Sequence, residues 1–142
     1  MTQPLPFSRK LKVITFSLAG NQFECQLRDW KMNNNTPDGE RFYTYCPPSG
    51  GEFREDAEPD YALDLKFFSN WRLNGISDYL TVNDQVTVAF QLDHHPDIVR
   101  EYVRWAGSLK IKAPSVGGEA RSTEMTEVTL PVIGKPVYTR IG

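Results

Sequence analysis

The chain has 142 residues, of which 39% are hydrophobic, 12% aromatic and 24% charged. That suits one globular domain and excludes wholesale disorder. Its 16 bases against 18 acids give a net charge of −2, which argues against a dedicated nucleic-acid binder with a basic footprint. Val, Ile and Thr number 26 against 7 Ala, which favours pleated strands over helices.

Residues 1–9 read as an extended arm, because Pro4 and Pro6 prevent helix and no apolar signal-peptide run is present. Lys10 to Leu18 alternates as a strand, Ala19-Gly20-Asn21 turns, and Gln22 to Asp29 alternates again. The two runs predict a β-hairpin. In the second run Phe23, Cys25 and Leu27 face inward, so Cys25 is expected as a small buried hydrophobe. Two cysteines, Cys25 and Cys46, are too few for a disulfide framework and fit synthesis in a reducing cytoplasm.

Residues 31–59 read as a long irregular loop, with Asn33-Asn34-Asn35, Pro47-Pro48 and a Glu/Asp cluster, though Phe42 to Cys46 suits a short strand. Residues 31–60 carry 7 acids and 3 bases, so the charge of the chain is uneven. Tyr61 to Phe68 alternates as a strand. Ser77-Asp78 opens a short helix over 75–81. Gln85 to Leu92 and Arg100 to Lys112 are further strands, with a bulge expected at Gly107. Ser122 to Leu130 and Val132 to Ile141 close the chain as two strands, divided by Pro131, with Pro136 suggesting an edge position. Together these predict a mainly β single domain over 1–142. It is an antiparallel β-sandwich or small barrel with one short α-helix, a long loop and extended terminal arms. No run of about 18 apolar residues spans a membrane.

Chemistry is sparse. His94 and His95 are the only histidines. On an extended segment they point opposite ways, so Asp93, His94, His95 and Asp97 are expected as a turn rather than a metal site. No nucleophile elbow, P-loop or dinucleotide fingerprint is present. No catalytic residue, metal or cofactor is therefore expected. Trp105 is expected in the core, Trp71 beside the helix or in a subunit interface, and Trp30 either at a rim or interface or in the core. A long loop and two arms on a β domain suit a repeating subunit. The expected interface residues are Trp30, Asn33, Asn34, Asn35, Pro47, Pro48, Glu52, Arg54, Trp71, Pro136 and Tyr138.

The element order, Val103-Arg104-Trp105-Ala106-Gly107-Ser108-Leu109, Ala113-Pro114-Ser115-Val116-Gly117-Gly118-Glu119 and the closing Val132-Ile133-Gly134-Lys135-Pro136-Val137 resemble the major tail tube proteins of long-tailed bacteriophages. The resemblance implies six-membered rings that stack into a tube in the virion, made in a bacterial host cytoplasm. It implies contacts with other tail proteins, and genomic DNA passing through the lumen without specific binding. A near-neutral or acidic lumen would let phosphates slide. The rival readings are a tail terminator, tail-completion or capsid-decorating subunit, a carbohydrate-binding module using Trp30, Tyr43 and Tyr45, and a metal enzyme using Asp93, His94, His95 and Asp97.

Overall fold

A computed structural model describes residues 8–45 and 51–142. It is mainly β: a curled antiparallel half-barrel with one helix, as the composition predicts. Strands β1 (Ile14–Leu18), β2 (Asn21–Gln22), β3 (Leu27–Asn34), β6 (Tyr61–Phe68), β7 (Thr87–His94), β8 (Val103–Lys110) and β9 (Met125–Arg140) form one sheet in the order β2-β1-β7-β8-β9-β6-β3. A separate two-stranded ribbon pairs β4 (Arg41–Tyr43) with β5 (Glu52–Arg54). Helix α1 spans Ile76–Val82, one residue on from the predicted span.

Alternation decides which face is buried. Leu63, Leu65 and Phe67 of β6 lie on one face with Phe16 and Leu18 of β1, Phe90 and Leu92 of β7, and Leu130 of β9. Ile76 and Leu80 of α1 join the same cluster and are fully buried. Burying a side chain of this size contributes roughly 1.5–3 kcal/mol, so this single core supplies most of the stability. The sheet curls enough that Trp30 of β3 meets His94 of β7 edge-on at 5.4 Å, although three strands (β8, β9 and β6) lie between them in hydrogen-bonding order.

The predicted first hairpin is shortened. Ala19 and Gly20 both take positive φ and make the two-residue turn, but β2 pairs with β1 only at Asn21 and Gln22. After Phe23 the chain enters a 3-10 turn (Glu24–Gln26) and crosses to the far edge of the sheet as β3. Cys25 is consequently exposed on that turn, which corrects its expected burial. The turn serves α1: Gln26 Oε1 accepts from the Ile76 N–H at 2.8 Å and from Asn70 Nδ2 at 2.9 Å. One side chain thus satisfies an N-terminal donor that the helix leaves open. Cys46 lies outside the described residues.

The closing strands are one continuous strand, not two. β9 pairs first with β6 and then with β8. Pro131 is paired only on its β6 side, and Pro136 falls inside a register shift opposite Gly107. Both are positions where a missing N–H is tolerated. The bulge expected at Gly107 is present, and a Cβ there would lie 3.3 Å from the Phe90 ring.

Candidate assembly surface

With one sheet face buried, the other is the face available to solvent, and its two halves differ. Across β1-β7-β8-β9 the register lines up Ser17, Gln91, Ala106 and Val137 in one row, and Ala89, Ser108 and Ile133 in the next. These rows carry no formal charge. The row above them holds Thr15, Asp93, Arg104 and Thr139. There Asp93, 3% exposed, receives Arg104 Nε at 2.7 Å, Thr15 Oγ1 at 2.8 Å and the Tyr102 hydroxyl at 2.9 Å. Burial alone would raise the Asp93 pKa, but hydrogen bonds from Arg104, Thr15 and Tyr102 bring it below its ordinary value. The bond to Asp93 raises that of Arg104. The clasp ties β1, β7 and β8 together and is neutral overall.

The other half, across β3-β6-β9, is a ladder of alternating charge. Asp29, Lys66 and Glu127 form one row, and Lys31, Asp64 and Thr129 the next. Lys66 Nζ lies 3.0 Å from Glu127, and Thr129 Oγ1 donates to Asp64 at 2.6 Å. Asn33 Nδ2 donates to the other Asp64 oxygen. Opposite charges directly across strands stabilise the pairing modestly.

The sheet also has open edges. β3 is eight residues long and pairs only with β6, so its outer side has no strand partner among the described residues. β2 covers β1 at Ser17 and Leu18, and the Phe23 N–H donates to the Phe16 carbonyl at 2.9 Å, which leaves Ile14 and Thr15 without a strand partner on that side among the described residues. A long unpaired edge is a template for another strand.

Beyond Asn34 and before Tyr61 the β3–β6 hairpin continues outward. The Asn35 N–H donates to the Asp60 carbonyl at 2.7 Å, and the Asp60 N–H to Thr36 Oγ1 at 2.9 Å. The β4–β5 ribbon follows, so the predicted irregular loop is partly paired strand, and residues 31–34 complete β3. Phe42 and Phe53 stack on one ribbon face at 5.4 Å, and Arg41 sits over the Tyr43 ring on the other. Phe53, Tyr43 and Tyr45 remain exposed. Gly39 is required by a close approach, because a Cβ there would fall 1.6 Å from the Glu55 carbonyl oxygen.

The residues expected at interfaces are dispersed. Trp30 is half-buried against His94. Asn33 and Asn34 end β3, where Asn34 Oδ1 accepts from the Thr36 N–H, and Asn35 begins the stem of the ribbon. Glu52 and Arg54 lie on the ribbon, Glu52 paired with Arg41 and Arg54 with the Gly39 carbonyl. Pro47 and Pro48 lie outside the described residues. Trp71 is 41% exposed and donates its indole N–H to Glu124 at 2.8 Å. Tyr138 is exposed beside the half-buried Trp105, their rings 4.9 Å apart. Pro136 is buried beside Gly107, on the part of β9 that has β8 on one side and no strand on the other among the described residues, in keeping with its expected edge position. Trp30 lies on the sheet, whereas Tyr43 and Tyr45 flank the ribbon, so the three aromatics span two separate structural units.

The two histidines also depart from expectation. His95 has φ +52°, which turns its ring back onto His94, and the rings stack at 4.4 Å. His94 Nε2 is buried without a hydrogen-bond partner in the structure. Burial, and then the neighbouring His95, lower the His94 pKa. Among the described residues no group of three or more His, Cys, Asp or Glu side chains is placed to hold a metal ion. No helix among them is long and apolar enough to cross a membrane. The chain matches no family model and no curated protein.

Proposed function

We propose that the protein is a self-assembling structural subunit of a phage tail tube, closing into rings that stack around a DNA channel. The observation that carries this reading is the long open edge of β3 opposite a second, shorter open edge at Ile14 and Thr15 of β1. A curled sheet with two open edges can continue through its neighbours, each edge pairing with the next copy. The tail-tube resemblance supplies the ring size of six and the virion location.

The buried face cannot line a channel, so the solvent face of β1-β7-β8-β9 is the one assigned to the lumen. Its uncharged Ser, Gln, Ala and Thr rows and its neutral Asp93–Arg104 clasp suit that role. Lys110, beside Thr87 at the end of these rows, is its one exposed cation without an ion pair among the paired β7–β8 residues. A face this poor in free cations releases few condensed counterions from DNA, so the polyanion is held only weakly. Negative-stain electron microscopy of the purified protein tests the reading. Rings or tubes with a central channel are expected. A monomer that persists at high concentration overturns it, and isolated unstacked rings point to the terminator role.

A further inference from the structure

We propose that the acidic aromatic ribbon of one copy docks into a basic groove beside the N-terminal end of β1 in a second copy. This deepens the self-assembly reading and rests on it. Two surfaces of opposite character carry the inference.

The first is the ribbon. Its strands pair only with each other, and a lone two-stranded hairpin is marginal in water. Phe53, Tyr43 and Tyr45 are exposed on or beside it, so these rings have no cover among the described residues. Glu40, Glu55, Asp56 and Glu58 around it are exposed, and none has an ion-pair partner among the described residues. The ribbon therefore offers apolar rings bordered by unpaired negative charge.

The second is a groove of about 520 Å³ walled by Arg9, Lys10, Lys12 and Val13 on one side and by His95 and Ile98 on the other. Arg9 is held by Glu101 at 2.8 Å, and Asp97 also lines the groove. Lys10 and Lys12 are exposed and lack a carboxylate within ion-pair distance among the described residues. Val13 and the neighbouring Leu11 add exposed apolar surface. With Arg9 paired to Glu101 and Asp97 on the opposite wall, Lys10 and Lys12 are the groove's cations without an ion pair among the described residues, and apolar surface lies beside them, the complement of the ribbon's acids and rings. Among the described residues no ribbon residue lines the groove.

Ribbon and groove are different surfaces, so the contact is heterologous. Such a contact propagates from copy to copy and closes into a ring or extends into a filament. Each desolvated aromatic would act as an anchor, and the charges would fix register and speed encounter.

Charge reversal tests the proposal. One variant carries Lys10→Glu and Lys12→Glu, and another carries Glu55→Lys and Glu58→Lys. Both should melt like the parent protein, because the four positions are exposed. Each alone should lose assembly by at least about tenfold in sedimentation. An equimolar mixture should assemble again, because each reversed groove then meets a reversed ribbon. Rescue on mixing requires contact between copies, which a contact within one chain does not give. Folded single variants that assemble like the parent, or a mixture without rescue, would overturn the docking while leaving the tube reading intact. A parent protein that never self-associates would overturn both. Loss in the groove variant alone, with the ribbon variant unaffected, would assign the groove to a surface of the second copy other than the ribbon and also overturn the proposal.

Discussion

The sheet body and the ribbon are both antiparallel β-structure, yet they are held by different means. The body buries Phe16, Leu65, Phe67, Leu92 and Leu130 under α1 and locks its surface with the Asp93 clasp. The ribbon has one Phe42–Phe53 stack, an Arg41–Glu52 pair and an exposed remainder. The contrast teaches where each part draws its stability. The body carries its own core, whereas the ribbon has no comparable core among the described residues.

The largest effect should come from the body's core. Phe67→Ala should cost about 3–5 kcal/mol in denaturant unfolding. Replacing residues 40–55 with a short Gly-Ser turn should leave the unfolding midpoint unchanged while abolishing assembly. A comparable loss of stability from both changes would break the contrast.

Next is the clasp. Asp93→Ala leaves Arg104 without its partner and should cost about 3 kcal/mol, the lower end for a broken buried pair because Arg104 is partly exposed. The same carboxylate sets an acid limit. Its folded pKa is depressed, so its stabilisation is present above the unfolded value of about 3.9 and is lost as pH falls through the folded value. Urea midpoints measured between pH 5 and pH 2.5 should fall less steeply in Asp93→Ala.

Trp105→Ala should cost about 2 kcal/mol, below the value for a fully buried Trp, since its ring is half-buried against Tyr138. His94 should give a smaller effect near neutrality. Its folded pKa is also lowered, so stability should decline as pH drops below about 6.5, where the unfolded chain takes up the proton first. Thermal melts of His94→Phe across pH 7.5 to 5 should lack that decline; an unchanged slope would remove His94 as its source.

The smallest change in global stability is expected from Gly39→Ala, within about 0.5 kcal/mol, because the ribbon lies outside the core. The added Cβ collides with the Glu55 carbonyl, so the ribbon should open and become more sensitive to limited proteolysis. An intact, protease-resistant ribbon would show that the stem tolerates the shift.

Strict alternation made β6, β7 and β8 readable, because one face of each is apolar and the other is not. Ser77-Asp78 and the spacing of Ile76 and Leu80 did the same for α1. Cys25 was misplaced because Phe23, Cys25 and Leu27 continue the strand period through a segment that turns. The cause is the reach of Gln26 to Ile76, fifty residues away, which leaves no local signal. The prolines of β9 look like breakers until their neighbours are known. The histidines look divergent until His95 adopts positive φ. The ribbon was hidden for a related reason: its short strands are flanked by turn residues, and only their pairing reveals them.

By itself the sequence determined the β class, the buried side of the main strands, the helix and the concentration of acid between residues 31 and 60. These follow from side-chain type and period, which act locally. Tertiary structure decided the order of strands, the crossing of β3 to the far edge, the neutral and charged halves of the solvent face, and the separation of ribbon from body. Those features depend on contacts between residues far apart in the chain, where loop closure and the demand for one continuous core select the partners.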